Sequence, residues 1–210
     1  MWKWSLNWGE ITPGIVIGTC PMKPSDLGRI KAEARASALM SLQHSDCLAY
    51  WKIDYPQMQH EARKVGLTMR RCPIRDFDIR DMQRRLPDAV ALMAGLQAAG
   101  HRTYIHCTAG LGRAPLVVLG YLTLVMRVTP DQAIGRILAG RPGAVPAWEA
   151  LHGARADLVE RFRRPIERLA YELYKLGANE DAAEDWIQAE AEVLRSVLSD
   201  RELSGESTRI

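Results

Sequence analysis

The stretch Tyr104-Ile105-His106-Cys107-Thr108-Ala109-Gly110-Leu111-Gly112-Arg113-Ala114-Pro115-Leu116-Val117-Val118 changes character twice. It opens as a short apolar run, breaks into a loop of small residues, and resumes at Arg113 as an apolar helical pattern. A strand that passes through a tight loop straight into a helix brings loop amides and a helix N-terminus to one point. Both attract anions. Gly110 and Gly112 permit the backbone angles such a loop needs. Cys107, at the strand end, sits in that field, which favours the nucleophilic thiolate. Arg113, at the helix start, offers a planar fork to two phosphate oxygens. His106 is placed to orient the loop by hydrogen bonds. The spacing itself has few fixed positions, and the strand–loop–helix context gives it its weight. The competing reading is a buried, inert cysteine at a strand end.

Working outward, residues 14–19 and 67–74 read as strands, and residues 38–42 form a second short apolar run. Helical patterns cover residues 25–37, 56–65, 80–99 and 113–126, and Pro130-Asp131 starts another. This alternation predicts an α/β layer fold with helices covering a central sheet. From Pro146 onward the pattern is helical only, over residues 146–164, 165–176 and 181–198. The apolar residues Leu169, Leu173, Leu176, Trp186 and Leu194 form a stripe there that needs a partner surface. Packing against the body and a homodimer contact are the two expectations.

The 210 residues include 47% hydrophobic and 25% charged side chains, which excludes a disordered or collagen-like chain. No stretch approaches the roughly 20 uncharged apolar residues that span a bilayer, so no membrane partner is expected. The N-terminus has no apolar core of a secretory signal. Cys20, Cys47, Cys72 and Cys107 are widely spaced with no CxxC pair, which argues against a disulfide framework and a zinc site. A reducing, cytoplasmic location is the expectation, with Cys20, Cys47 and Cys72 read as packing. The net charge of +3 divides unevenly. Residues 165–210 carry eleven Asp/Glu against five Lys/Arg, and the preceding residues carry 23 basic against 14 acidic side chains. A basic body of residues 1–164 with an acidic helical extension, residues 165–210, is the predicted organisation. The basic residues are dispersed rather than gathered in one run, so the excess points to anionic substrates and not to nucleic acid.

Phosphate transfer to a cysteine also needs a general acid, because an alkoxide leaves poorly. Asp76, Asp78 and Asp81, in Arg75-Asp-Phe-Asp-Ile-Arg-Asp, follow a strand and precede a helix. Spacing alone does not choose among them, and Asp78 is also a natural helix cap. The chemistry requires no metal and no cofactor.

With these residues in view, the chain resembles the dual-specificity group of cysteine-dependent protein tyrosine phosphatases, and within it the plant glucan phosphatases. The likeness spans about residues 6–160. It is carried by Asn7-Trp8, Ile15-Val-Ile-Gly-Thr-Cys-Pro, Leu42-Gln43, Tyr50-Trp51, Ile74-Arg-Asp-Phe-Asp and, above all, His106-Cys-Thr-Ala-Gly-Leu-Gly-Arg-Ala-Pro. Ala114-Pro115 stands after the arginine, as in the starch enzymes, where other members usually have Ser or Thr. The resemblance implies a three-layer α/β/α fold with a central mixed sheet. It implies Cys107 as nucleophile, Arg113 as phosphate ligand, Asp76 as general acid, and residues His106, Thr108, Ala109, Gly110, Leu111 and Gly112 as the phosphate-binding loop. It also implies an aromatic glucan platform at Trp8, Tyr50, Trp51 and Phe77, with Val145 where the family has another aromatic. Sugar rings present apolar faces that such aromatics can hold. Ser41 replaces the family's partner cysteine, so that disulfide is not expected. The extension resembles a small bacterial helical family of unknown function.

The implied substrate is a phosphorylated glucan, starch-like or glycogen-like. A phosphoprotein substrate for the same chemistry and a non-catalytic phospho-ligand module are the alternatives. Lipid-directed members often place Lys or Arg inside the loop, and residues 108–112 contain neither.

Overall fold

A computed structural model describes residues 4–179 and 181–199. Residues 1–3, 180 and 200–210, including the end of the expected extension, lie outside the described residues. Five strands form one sheet among the described residues: β1 (Trp8–Thr12), β2 (Ile15–Gly18), β3 (Ala38–Gln43), β4 (Thr68–Ile74) and β5 (Thr103–His106), in the order β1-β2-β5-β3-β4. β1 pairs antiparallel with β2, and the other neighbours are parallel. The sheet is therefore mixed, as the resemblance implies.

The helices are α1 (Pro24–Ala32), α2 (Ser45–Tyr50), α3 (Tyr55–Lys64), α4 (Ile79–Ala98), α5 (Arg113–Gly120), α6 (Pro130–Gly140), α7 (Trp148–Arg161), α8 (Arg163–Leu176) and α9 (Ala182–Ser199). Several start on side-chain caps that free amides require. Asp54 accepts from the Gln57 N–H at 2.9 Å ahead of α3, and Asp78 accepts from the Asp81 N–H at 2.9 Å ahead of α4.

Side chains alternate across the sheet with the period of two that a pleated strand imposes. Val16, Leu39 and Tyr104 face one side, where they meet Leu27 and Ile30 of α1 and Met58 and Ala62 of α3. Ile17, Met40, Leu42 and Ile105 face the other, against Leu86 and Val90 of α4, Leu116 and Val117 of α5, and Ile137 of α6. Each large side chain so buried contributes about 1.5–3 kcal/mol. The central strands are buried on both faces, which is why they read as continuous apolar runs.

Four features depart from the sequence reading. β1 and α2 have no counterpart in it: β1 is an edge strand, Trp-Gly-Glu-Ile-Thr, with one buried residue, and α2 is under two turns long. α1 ends at Ala32 rather than near residue 37. The helix expected over residues 113–126 stops at Gly120 and continues as a π-helical turn, Tyr121–Val125. There the Thr123 hydroxyl donates to the Leu119 carbonyl at 2.8 Å, competing for an acceptor of the regular ladder.

The C-terminal helices pack on the body. α8 lies along α9, and Leu194 and Leu198 of α9 enter the main core at 2% and 1% exposure. Of the expected stripe, Leu169, Leu173 and Trp186 are half-buried and Leu176 is exposed.

Candidate active site

β3, β4 and β5 are parallel, so their C-terminal ends emerge at one edge of the sheet. In parallel sheets ligands bind at that edge. Gln43 leads there to α2, Ile74 to residues 75–78, and His106 to Cys107. These three exits wall a cavity of about 790 Å³. Cys107, Thr108, Ala109, Leu111 and Gly112 line its floor, Asp76 and Phe77 one side, and Cys47, Tyr50 and Trp51 another. Val145 and Ala147, from the segment before α7, complete it.

The orientation of the loop follows from where its carbonyls go. The Cys107 carbonyl accepts from His106 Nδ1 at 2.9 Å, and the Thr108 carbonyl from the Cys20 N–H at 3.0 Å. The Ala109 carbonyl accepts from Arg141 Nη2 at 2.7 Å, and the Gly110 carbonyl from Arg141 Nε at 3.2 Å. The Leu111 carbonyl accepts from the Val145 N–H at 2.7 Å. In a trans peptide the C=O and the following N–H point in opposite directions. With the carbonyls of residues 107–111 held outward, the amides of residues 108–112 are turned to the opposite side. Among the described residues, no backbone hydrogen bond outside helices and strands uses those amides as donors. Gly110 makes the turn at φ +69°, and a Cβ there would stand 2.4 Å from the Gly18 carbonyl oxygen.

Cys107 is 4% exposed and Arg113 is fully buried. Arg113 Nη1 donates to the Ile74 carbonyl at 2.9 Å and to Cys47 Sγ at 3.4 Å, and Nη2 donates to Asp76 Oδ2 at 2.7 Å. Its Nε is buried with no acceptor among the described residues. Burial works against its charge, but Cys107, Asp76 and Cys47 outweigh it and raise its pKa. A phosphate oxygen would give Nε the acceptor it lacks. His106 is wholly buried. A carbonyl only accepts, so Nδ1 carries a proton, and Nε2 is buried with no partner among the described residues. Burial holds its pKa down at about 4, while the bond to Cys107 opposes the shift and Arg113 adds to it.

The three aspartates separate in space. Asp78 caps α4. Asp81 accepts from the Arg75 N–H at 2.8 Å and from Arg84 at 2.6 Å. Burial raises the Asp81 pKa, but these bonds prevail and lower it overall. Only Asp76 of the three lines the cavity and touches Arg113.

Tyr50, Trp51 and Phe77 are brought to the cavity rim. Tyr50 and Trp51 meet edge to face at 5.2 Å, and Phe77 is 93% exposed at φ +58°. Trp8 is not brought there. It packs on the α1 and α3 side of the sheet, edge-on to Tyr104 at 6.2 Å, with Arg29 5.9 Å from its ring. Cys20 and Cys72 sit in packing positions, and burial pushes both thiols up to about 12. Cys47 departs from that reading, since it lines the cavity beside Arg113. Arg141 has no counterpart in the sequence reading. Its position far along the chain from the loop gives no local signal.

Residues 40–153, more than half of the chain, match the model of the dual specificity phosphatase catalytic domain. The chain belongs to that family. It is 30% identical over 168 residues to the phosphoglucan phosphatase DSP4 of Castanea sativa, covering 79% of this chain and 44% of the relative. Laforin of Mus musculus is 29% identical over 168 residues, covering 75% of this chain and 51% of that one. The chain thus spans about half the length of these curated relatives. Among solved structures, Tk-PTP in the active form superimposes with a TM-score of 0.56 at 20% identity, over 71% of this chain and 94% of that one. That likeness shows the shared fold.

Proposed function

We propose that this dual-specificity phosphatase family member hydrolyses phosphate monoesters on glucan through a cysteinyl-phosphate intermediate. The observation that carries the reading is the convergence of Cys107, Arg113 and Asp76 on one cavity whose rim is aromatic. Cys107 Sγ forms a bond to phosphorus as the bond from phosphorus to the sugar oxygen breaks. The amides of residues 108–112 and Arg113 hold the non-bridging oxygens. An oxygen that takes Arg113 Nη2 displaces Asp76 from it, and the freed carboxylate, having taken a proton from solvent, delivers that proton to the departing sugar oxygen. Asp76 then takes a proton from water as the water oxygen attacks phosphorus and the S–P bond breaks, releasing inorganic phosphate.

The glucan assignment is supported by the exposed rings of Tyr50 and Phe77 beside Trp51, and by the names of the curated plant relatives. The loop interior carries no Lys or Arg, which suits a single phosphate rather than a multiply charged headgroup. The test compares phosphate release from phosphorylated amylopectin and from phosphopeptides, with Cys107→Ser as control. Release from the glucan that disappears in the variant supports the assignment. Release from peptides with none from glucan assigns the same chemistry to a protein substrate.

A further inference from the structure

We propose that Arg141 is a positioning residue that shapes the phosphate-binding loop from behind and supplies a second buried positive charge to the anion site. The inference rests on the phosphatase reading of the loop and extends it to a residue outside the motif.

Arg141 follows α6 and is 9% exposed. It holds two successive loop carbonyls, at Ala109 and Gly110, with one guanidinium. Its remaining nitrogen Nη1 donates to Asn7 Oδ1 at 2.5 Å. Asn7 is itself fixed, because its Nδ2 donates to the Ser5 carbonyl at 2.9 Å and leaves Oδ1 facing the arginine. All the oxygens that receive Arg141 are neutral, and among the described residues no carboxylate forms an ion pair with it. A buried cation without a counter-charge is costly. Burial lowers the Arg141 pKa, while Tyr104 and Cys107 oppose that shift, so Cys107 lies within its electrostatic reach. An anion in the loop is the counter-charge this arrangement lacks.

The backbone behind Arg141 is fixed too. A Cβ on Gly9 would stand 1.6 Å from the Gly140 carbonyl oxygen, and one on Gly140 would stand 2.0 Å from that of Glu10. β1 and the end of α6 therefore touch backbone to backbone, and Arg141 is the next residue. By fixing the carbonyls of residues 109 and 110, Arg141 turns the amides of residues 110 and 111 to the other side of the chain. Those amides are oxyanion donors only in that orientation.

Two measurements that need no substrate test this: the dissociation constant for tungstate, and the rate of Cys107 alkylation by iodoacetamide at pH 6.5, read by mass spectrometry. Arg141→Met is expected to weaken tungstate binding by about tenfold or more and to slow alkylation several-fold. Arg141→Lys keeps the charge but not the fork, so it is expected to restore most of the alkylation rate and little of the tungstate affinity. A folded Arg141→Met protein with wild-type values for both overturns the proposal. Should Arg141→Met not fold, Asn7→Leu removes the outer anchor without touching the loop. About threefold weaker tungstate binding is then expected, and wild-type affinity overturns the proposal. Wild-type protein that neither binds tungstate nor alkylates selectively at Cys107 overturns the phosphatase reading as well, which separates the two failures.

Discussion

In the phosphatase-motif loop, the carbonyls of residues 108–111 are met by donors from Cys20, Arg141 and Val145, far along the chain, whereas α9 is held largely by apolar side chains, with Leu194 and Leu198 set into the main core. The loop buries charge: Arg113 and Arg141 lie inside, and Cys107 lines the cavity. α9 pairs the charge it buries, as in Arg155–Glu190 at 2.6 Å, with side chains 52% and 10% exposed, and the Arg163–Glu160 pair between α8 and α7 stays outside, with side chains 53% and 71% exposed. Directional bonds fix atoms to fractions of an ångström but contribute little net stability each. Apolar burial does the reverse, since it is large in energy and non-directional. Substitutions in the loop should therefore act mainly on chemistry, and those in α9 mainly on stability.

The sharpest way to break this contrast is at the proposed nucleophile. Cys107→Ser is expected to lower aryl phosphate turnover by about 10⁴-fold or more with an unchanged melting temperature. Residual turnover near the wild-type rate would remove the loop from the chemistry. Asp76→Asn comes next, with an expected fall in kcat of about 10²–10⁴-fold and a far smaller change in KM. Steady-state kinetics on p-nitrophenyl phosphate separate the two constants.

On the other side, Leu194→Ala should destabilise the fold by about 2–5 kcal/mol in urea unfolding while kcat stays within about twofold of wild type. A matching loss of kcat in the folded protein would mean that α9 shapes the site as well as the core.

His106 belongs to the loop side, and its burial there makes the stability of the fold depend on pH. The unfolded chain takes a proton at this residue below about 6.5, while the folded one refuses it until about 4. Its contribution is complete above pH 6.5 and is lost as pH falls towards 4, by roughly 3 kcal/mol. Urea midpoints at pH 7.5 and 4.5 should show a shallower acid loss in His106→Gln than in wild type. The smallest effect belongs to the exposed pair: Glu160→Gln should change stability by no more than about 0.5 kcal/mol.

Much of the site was legible because it is local in the chain. His106, Cys107, the glycine-bearing loop and Arg113 are contiguous, and a strand–loop–helix run constrains its own geometry. Spacing left the aspartates as a set of three, and only the resemblance singled out Asp76. The end of α4 supplies the physical reason, because there Asp78 is a cap and Asp81 holds Arg75 and Arg84. Tyr50, Trp51 and Phe77 could be assigned to the rim by resemblance, but the same resemblance brought in Trp8, which lies on the other side of the sheet. β1 escaped because an edge strand needs only one apolar face, and α2 because it is too short to show a period.

What the sequence by itself determined is the α/β order, the two-sided burial of the central strands, and the cysteine–arginine loop, because each is written in neighbouring residues. What only the tertiary structure decided is which aspartate faces the loop, that Cys47 stands beside Arg113, that α9 joins the main core, and that Arg141 closes the loop from behind. These are contacts between segments far apart in the chain. Such contacts depend on how the sheet orders its strands and where its loops emerge, and no local pattern of residues encodes that.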